Sequence, residues 1–205
     1  MSDTLRNAYH EAGHAVLGTD HGRRVHRISL RTAEAHAGIT QWEPDPPEMR
    51  VLLGALDGRH PLDGLMPDAF RFACRRMVET LAGKAAAELA VPTIGRQPEP
   101  LEERLPRRPP PASASVTPRL QAAEAAEPDP RRHDDDEIAL DMAMALVGYP
   151  TTGPLLGWMR AEARRACSER WPVIESVASA LLAAETLDAE GFGAIYQPPN
   201  EGDTQ

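Results

Sequence analysis

Two histidines and a glutamate lie within five positions near the start of the chain, in the segment NAYHEAGHAVLG (residues 7–18). Residues i and i+4 of an α-helix lie one above the other, so a helix here presents His10 and His14 to one point. Neutral imidazole nitrogen binds Zn²⁺ well, and a catalytic zinc site keeps one position open for water. Glu11 lies about 100° around the helix from His10, where its carboxylate can reach that water without binding the metal. The spacing predicts a zinc-dependent hydrolytic site with Glu11 as general base.

A catalytic zinc site needs a third protein ligand. The pattern H-E-x-x-H-x-x-G-x-x-H is not met, because Leu17 and Asp20 stand where it requires glycine and histidine. Two sources of a carboxylate remain. One is Glu88 on the downstream segment ETLAGKAAAEL, and the other is the acidic run at residues 134–136.

Helical phase discriminates within the acidic run, if a helix begins there. Asp135 then projects nearly along the inward stripe, Asp134 lies intermediate and Asp136 points away. The residues of that predicted stripe are Ile138, Ala139, Met142, Ala145 and Leu146. The alternative role for all three aspartates is to cap and solvate the N-terminus of a helix.

The elements that must position these residues are mostly helical. Helix caps followed by proline-free or apolar-periodic sequence predict helices at residues 5–18, 68–91, 133–149 and 155–170, a restart at Pro172, and a short helix after Asp188. VHRISLRT (25–32) alternates as a half-buried strand does, with His26, Ile28 and Leu30 on one face. AGITQWE (37–43) is its predicted partner. The fold class is therefore mainly α with a small β-hairpin or sheet.

Proline content divides the chain. Residues 92–130 hold ten of its twenty prolines, which predicts a disordered or extended loop inserted into the domain. We therefore predict one domain in four parts: residues 1–91 with the zinc-binding helix, small sheet and Glu88 helix, a proline-rich loop at 92–132, a helical part with the third ligand at 133–196, and a disordered tail at 197–205.

Composition excludes several classes of protein. The net charge of −9 without a sustained basic run argues against a nucleic-acid partner. There is no apolar stretch long enough for a membrane span and no signal-peptide pattern at the N-terminus, so we expect a soluble, cytoplasmic protein. Cys74 and Cys167 lack the C-x-x-C spacing of a thiolate zinc site and are expected to be reduced, largely buried thiols.

The chain resembles the protease domain of the FtsH-type zinc metallopeptidases, an ATP-dependent peptidase family. AYHEAGHAVLG, VHRISL and AGIT look like the start of that domain, LAGKAAAELA (81–90) is similar to its glycine-alanine-glutamate helix, and DDEIALDMAMALV (135–147) looks like the segment with its third metal ligand. The resemblance implies a zincin-like helical fold, Zn²⁺ ligands at His10, His14 and Asp135, and Glu11 as catalytic base. In the same resemblance Glu88 lies outside the three ligands and would support one of them. Asp134 and Asp136 are the alternatives to Asp135 as the third ligand.

The function these observations predict is that of a zinc-dependent metalloendopeptidase acting on unfolded or extended polypeptides. We expect no ATPase activity of its own, since the sequence contains no G-x-x-x-x-G-K-[ST] motif. The resemblance implies a homo-oligomer, and unfolding of substrates would need a separate ATPase partner. An extended substrate could add to a sheet edge near residues 26–30 or 39–42. The alternative function is a non-catalytic binding or adaptor module that retains the metal site.

Overall fold

Most of the described residues are helical. The structure is a computed structural model that describes residues 3–30, 38–44, 66–90, 135–147, 151–196 and 198. Within these ranges there are six helices and one three-stranded antiparallel sheet. The prediction of a mainly α fold with a small sheet is confirmed at this level. The predicted proline-rich loop at 92–132 lies outside the described residues.

Each element is labelled here in chain order. The helices are α1 (Asp3–Asp20), α2 (Met66–Ala90), α3 (Asp135–Val147), α4 (Thr152–Glu169), α5 (Trp171–Ala184) and α6 (Ala189–Ile195), and the strands are β1 (Val25–Ser29), β2 (Ile39–Trp42) and β3 (Thr186–Asp188). The predicted restart at Pro172 corresponds to the first turn of α5, where a proline's missing N–H costs no helical hydrogen bond.

The sheet has the order β2-β1-β3, so β1 is its central strand. Ile28 pairs with Thr40 on one side and with Leu187 on the other. The peptide-addition hypothesis is therefore wrong for β1, whose two edges are both used, while β2 has one neighbour among the described strands. The predicted alternation, in which His26 shares one face of the strand with Ile28, is also wrong. A register shift after Val25, as in a β-bulge, leaves His26 exposed and buries Val25 and Ile28.

The chain divides into two compact units. The first contains the described residues 3–30, 38–44, 78–90, 160–196 and 198, and the second contains 66–77, 135–147 and 151–159. In the first, α1 packs along α5, and the buried side chains of these two helices include Ala8, Ala12, Val16, Ile174, Val177 and Leu181. In the second, the buried side chains are those of Phe72, Ala73, Met77, Ala139, Ala143, Leu156 and Met159.

The C-terminal end of α1 is held by polar contacts. Asp20 accepts a hydrogen bond of 2.6 Å from the Tyr196 hydroxyl and one of 3.0 Å from Arg170 Nε. Burial, followed by the hydrogen bond to Asp20, raises the pKa of Tyr196 above its usual range. Near the start of α1, the Tyr9 ring stacks on Trp171 with centroids 5.3 Å apart. These contacts fix both ends of the helix that carries the H-E-x-x-H residues.

Across the part of the chain that the structure describes, every helix is too short or too polar to cross a membrane.

Candidate metal and catalytic site

The two histidines project from a helix that lies unusually close to its neighbour α2. A Cβ atom added at Gly13 would lie 2.6 Å from the carbonyl oxygen of Ala82 and 2.8 Å from the Cβ of Ala86. Real Cβ contacts of that length do not occur, so a glycine at this position is what permits the approach. The close packing brings the third turn of α1 onto the C-terminal half of α2.

The imidazole rings of His10 and His14 converge at their Nε2 atoms. These atoms lie 3.1 Å apart, and the ring planes are nearly perpendicular, with an interplanar angle of 81°. Two nitrogen ligands of one tetrahedral zinc, each at its usual bond length, are about 3.3 Å apart. The separation therefore matches that of two ligands of a single cation, and both rings remain partly exposed.

The other ring nitrogen of His14 is also engaged. His14 Nδ1 lies 2.9 Å from the backbone carbonyl oxygen of Glu79, which can only accept a hydrogen bond. Nδ1 therefore carries the proton, and in the neutral ring the lone pair is on Nε2, the atom that faces His10. A backbone carbonyl in this place is a common way to orient a metal-binding histidine.

Gly83 of α2 lies directly beneath the two rings. A Cβ atom at this position would lie 2.4 Å from His14 Nε2 and 2.8 Å from both Cε1 and Nε2 of His10. The absence of a side chain at Gly83 thus leaves the space in which the two Nε2 atoms meet.

Asp135, the predicted third ligand, is the first residue of α3 and belongs to the second compact unit. Two imidazoles and a carboxylate suit zinc, and they also suit ferrous iron in other sites.

The predicted phase of α3 is wrong in two respects. Asp136 is buried, with 6% of its surface exposed, whereas Ile138 is 39% exposed. The buried face is formed by Asp136, Ala139 and Ala143, which are spaced as i, i+3 and i+7. The small alanines, and not the large isoleucine, mark the packed side. Asp134 lies outside the described residues.

Glu11 is buried beside the histidines, and only 5% of its surface is exposed. Thr40 of β2 donates a hydrogen bond of 2.7 Å to Glu11 Oε2. Gly38, just before β2, contacts the same side chain, because a Cβ there would lie 2.4 Å from Glu11 Cγ and 2.8 Å from Oε1. The carboxylate is therefore held in one orientation on the same helix as the two imidazoles.

Other candidate residues lie elsewhere. Glu88 is exposed and forms an ion pair of 3.9 Å with Arg164. Cys167 is fully buried, and its Sγ lies 3.5 Å from the carbonyl oxygen of Ala82. Burial raises the pKa of the Cys167 thiol to about 12 and also raises that of Cys74. Both cysteines are free.

Four residues that contact the site were not predicted from the sequence: Glu79, Gly83, Thr40 and Gly38. Gly83 gave one signal, since a glycine in a helix interior is unfavourable and indicates a packing or functional requirement. Glu79 gave none, because its contribution to His14 is a backbone carbonyl that any residue could supply. Its carboxylate lies 3.2 Å from His21 Nδ1 and 3.8 Å from Arg23.

Comparison with known proteins adds no relative. No protein-family model matches the chain, and no curated protein is significantly similar to it. The function must therefore be argued from the geometry of the site.

Proposed function

We propose that this protein is a zinc-dependent metalloendopeptidase of the FtsH-like kind that hydrolyses peptide bonds in unfolded or extended polypeptides. The observation that carries the proposal is the meeting of His10 and His14 at Nε2 atoms 3.1 Å apart, with the buried carboxylate of Glu11 on the same helix. The sequence resemblance to the FtsH-type protease domain also supports it.

The donor atoms fit a zinc ion. His10 and His14 would bind it through Nε2, and Asp135 through a carboxylate oxygen. When bound, such a cation supplies Lewis acidity, which polarises a carbonyl group and makes a water molecule more acidic. The space above Gly83 and the orientation of His14 by the Glu79 carbonyl favour binding at this point.

In the proposed reaction Glu11 transfers the proton. Its Oε2 accepts the hydrogen bond from Thr40, which leaves Oε1 to take a proton from the attacking water and return it to the departing amine. Burial of this carboxylate excludes bulk water that would otherwise compete for the same proton.

An extended substrate would join the sheet at β2, an edge strand of the described sheet that also contacts Glu11. Main-chain hydrogen bonds would then supply much of the affinity, and the side chains of the substrate would matter less. Two N-methylated peptides test this addition, one methylated at its odd-numbered residues and one at its even-numbered residues. One of the two should bind more weakly than the unmodified peptide. Equal affinity for both methylated peptides would contradict addition at this edge.

Metal analysis and casein cleavage test the proposal. The purified parent should contain close to one zinc per chain and cleave casein. Glu11→Gln should keep the metal and lose activity about 10²–10⁴-fold, because general-base catalysis contributes that much. Asp135→Ala should lose the metal, and Asp141→Asn, a change of a half-buried aspartate further along α3, should resemble the parent.

Three results would contradict parts of this proposal. Equal cleavage by the parent and Glu11→Gln would exclude Glu11 as the base, and absence of any cleavage would favour a non-catalytic binding module. Iron in place of zinc in the purified protein would refute the metal assignment. Light scattering, with and without a candidate ATPase, tests the proposed homo-oligomer and the proposed ATPase partner.

A further inference from the structure

Strand β2 and the residue before it hold the side chain of Glu11 from two directions. The Thr40 hydroxyl reaches Oε2 at 2.7 Å, and the Cα of Gly38 lies against Cγ and Oε1. A Cβ at residue 38 would lie within 2.9 Å of three atoms of Glu11. The carboxylate therefore has a hydrogen-bond donor on one oxygen and a backbone wall beside the other.

Thr40 has two acceptors within reach, and the carboxylate is the stronger one. Thr40 Oγ1 lies 3.2 Å from the backbone carbonyl oxygen of Glu11 and 2.7 Å from Glu11 Oε2. A hydroxyl has one proton to donate, and hydrogen bonds to an ionised oxygen are shorter and stronger than those to a neutral one. The proton is thus directed to the side chain of Glu11.

The position of Thr40 is itself fixed by the sheet. Its backbone pairs with Ile28 of the central strand, and Ile28 is fully buried. A β-branched side chain in a strand has few accessible χ1 rotamers, so the hydroxyl cannot easily turn away from Glu11.

We propose that Thr40 is a positioning residue for the base: its hydroxyl fixes the orientation of the Glu11 carboxylate, in the space that Gly38 leaves open. This inference rests on the proposed peptidase function. It implies that β2 contributes to the chemical step in addition to any contact with substrate, because the same short strand determines where the base points.

The test compares Thr40→Val, which has the same shape without the hydroxyl, with Thr40→Ser, which keeps it. Thr40→Val should lower kcat for a casein-derived peptide about 10–100-fold, as expected for a misplaced catalytic group. KM and zinc content should stay within about twofold of the parent. Thr40→Ser should recover most of the lost kcat, a rescue that a purely structural role of the side chain would not produce.

Thr186→Val is the matched control. Thr186 lies in the same sheet and exchanges a hydrogen bond of 3.0 Å with Ser29, away from Glu11. Its loss should leave kcat unchanged. Gly38→Ala is a second test from the opposite side, and it should lower kcat towards that of Glu11→Gln without loss of zinc.

A readout that needs no activity is the coupling of Thr40→Val and Glu11→Ala in a double-mutant cycle of unfolding. The two changes should be non-additive by about tenfold in the unfolding equilibrium constant, as expected for a hydrogen bond to a charged group. Additive effects would overturn the inference at the level of the contact itself.

The outcomes separate this inference from the proposed function. An active parent with an equally active Thr40→Val protein, or with a loss confined to KM or zinc content, overturns the positioning role and leaves the peptidase proposal intact. A parent that cleaves no substrate overturns the proposed function, and the role of Thr40 in catalysis with it, even where the cycle shows that the contact exists.

Discussion

Substitution of Gly83 by alanine should strengthen the helix and weaken metal binding at the same time. A glycine in a helix interior costs about 0.5–1 kcal/mol relative to alanine, so the gain in helix stability is expected to be of that size. The new Cβ, however, would lie 2.4 Å from His14 Nε2. Ordinary contacts begin at 3.4 Å, so the ring must move by about 1 Å.

A displacement of this size exceeds what a metal–ligand bond tolerates, which is about 0.2 Å. Loss of a hydrogen bond that orients a metal ligand weakens metal binding by about 10–100-fold. Displacement of the ligand itself should cost more, so we expect the zinc dissociation constant to rise at least about 100-fold. That corresponds to about 2.7 kcal/mol of binding free energy, at about 1.4 kcal/mol per tenfold change. The rings are side chains that can rotate, so the helix itself should persist.

The assay combines zinc competition against a chromophoric chelator with urea unfolding in the presence of a stronger chelator. Gly157→Ala is the matched control, because it makes the same change in the interior of α4, where a Cβ would have no neighbour within 4 Å. Both variants should unfold at higher urea than the parent when metal-free, and only Gly83→Ala should lose affinity for zinc. Parent-like affinity in Gly83→Ala would refute the claim that the cation binds above Gly83.

Three further predictions concern the scaffold. Gly13→Ala should lower the free energy of unfolding by about 1–3 kcal/mol, as overpacking does, because the new Cβ would meet the rigid backbone of Ala82. Urea unfolding measures this change, and a more stable variant would contradict the close approach of α1 and α2. Tyr196→Phe should cost about 1–2 kcal/mol by the same measurement, since the hydrogen bond to the Asp20 carboxylate is lost. The pKa of Tyr196 is raised in the folded state. The contribution of its hydroxyl to the free energy of unfolding is therefore complete below about pH 10, the unfolded pKa, and decreases as the pH rises further. A difference between parent and variant that stays constant above about pH 10 would count against this linkage. Cys167, with a thiol pKa of about 12 in place of 9.0, should react with iodoacetamide at pH 8 roughly 1,000-fold more slowly in the native than in the unfolded protein, and rapid native labelling would show that this thiol is accessible.

Local sequence patterns predicted all six helices of the described residues, because caps, prolines and apolar spacing are properties of each segment alone. The predicted helix at 68–91 corresponds to α2 within two residues at either end. Strand β3 was not predicted, because three residues carry no period, and its pairing with β1 joins residues such as Ser29 and Thr186 that are far apart in sequence. The prediction that His26 shares a face with Ile28 failed for the same reason, since a bulge is a property of the ladder and not of one strand.

The candidate site divides in the same way. His10, Glu11 and His14 are recognisable from their spacing, because that spacing is a property of one helix. The groups that orient them, such as Thr40 and the carbonyl of Glu79, come from other elements and become visible only when the fold brings them near. The predicted phase of α3 was wrong at Asp136 because the predicted stripe ran through Ile138, whereas the buried face contains Asp136, Ala139 and Ala143.

Residues that are each unfavourable when taken alone coincide at one place in this molecule. Gly13 and Gly83 both lie in helix interiors, each at a cost of about 0.5–1 kcal/mol relative to alanine. Glu11 is buried as a carboxylate, although a neutral side chain of similar size would avoid the cost of removing a charge from water. Each of these residues is explained by the same requirement: the first glycine lets the helices approach, the second leaves room for two imidazoles to meet, and the carboxylate can accept a proton there. Residues that oppose local stability are expected at functional sites, and their coincidence beside His10 and His14 argues for chemistry at this point independently of any sequence motif.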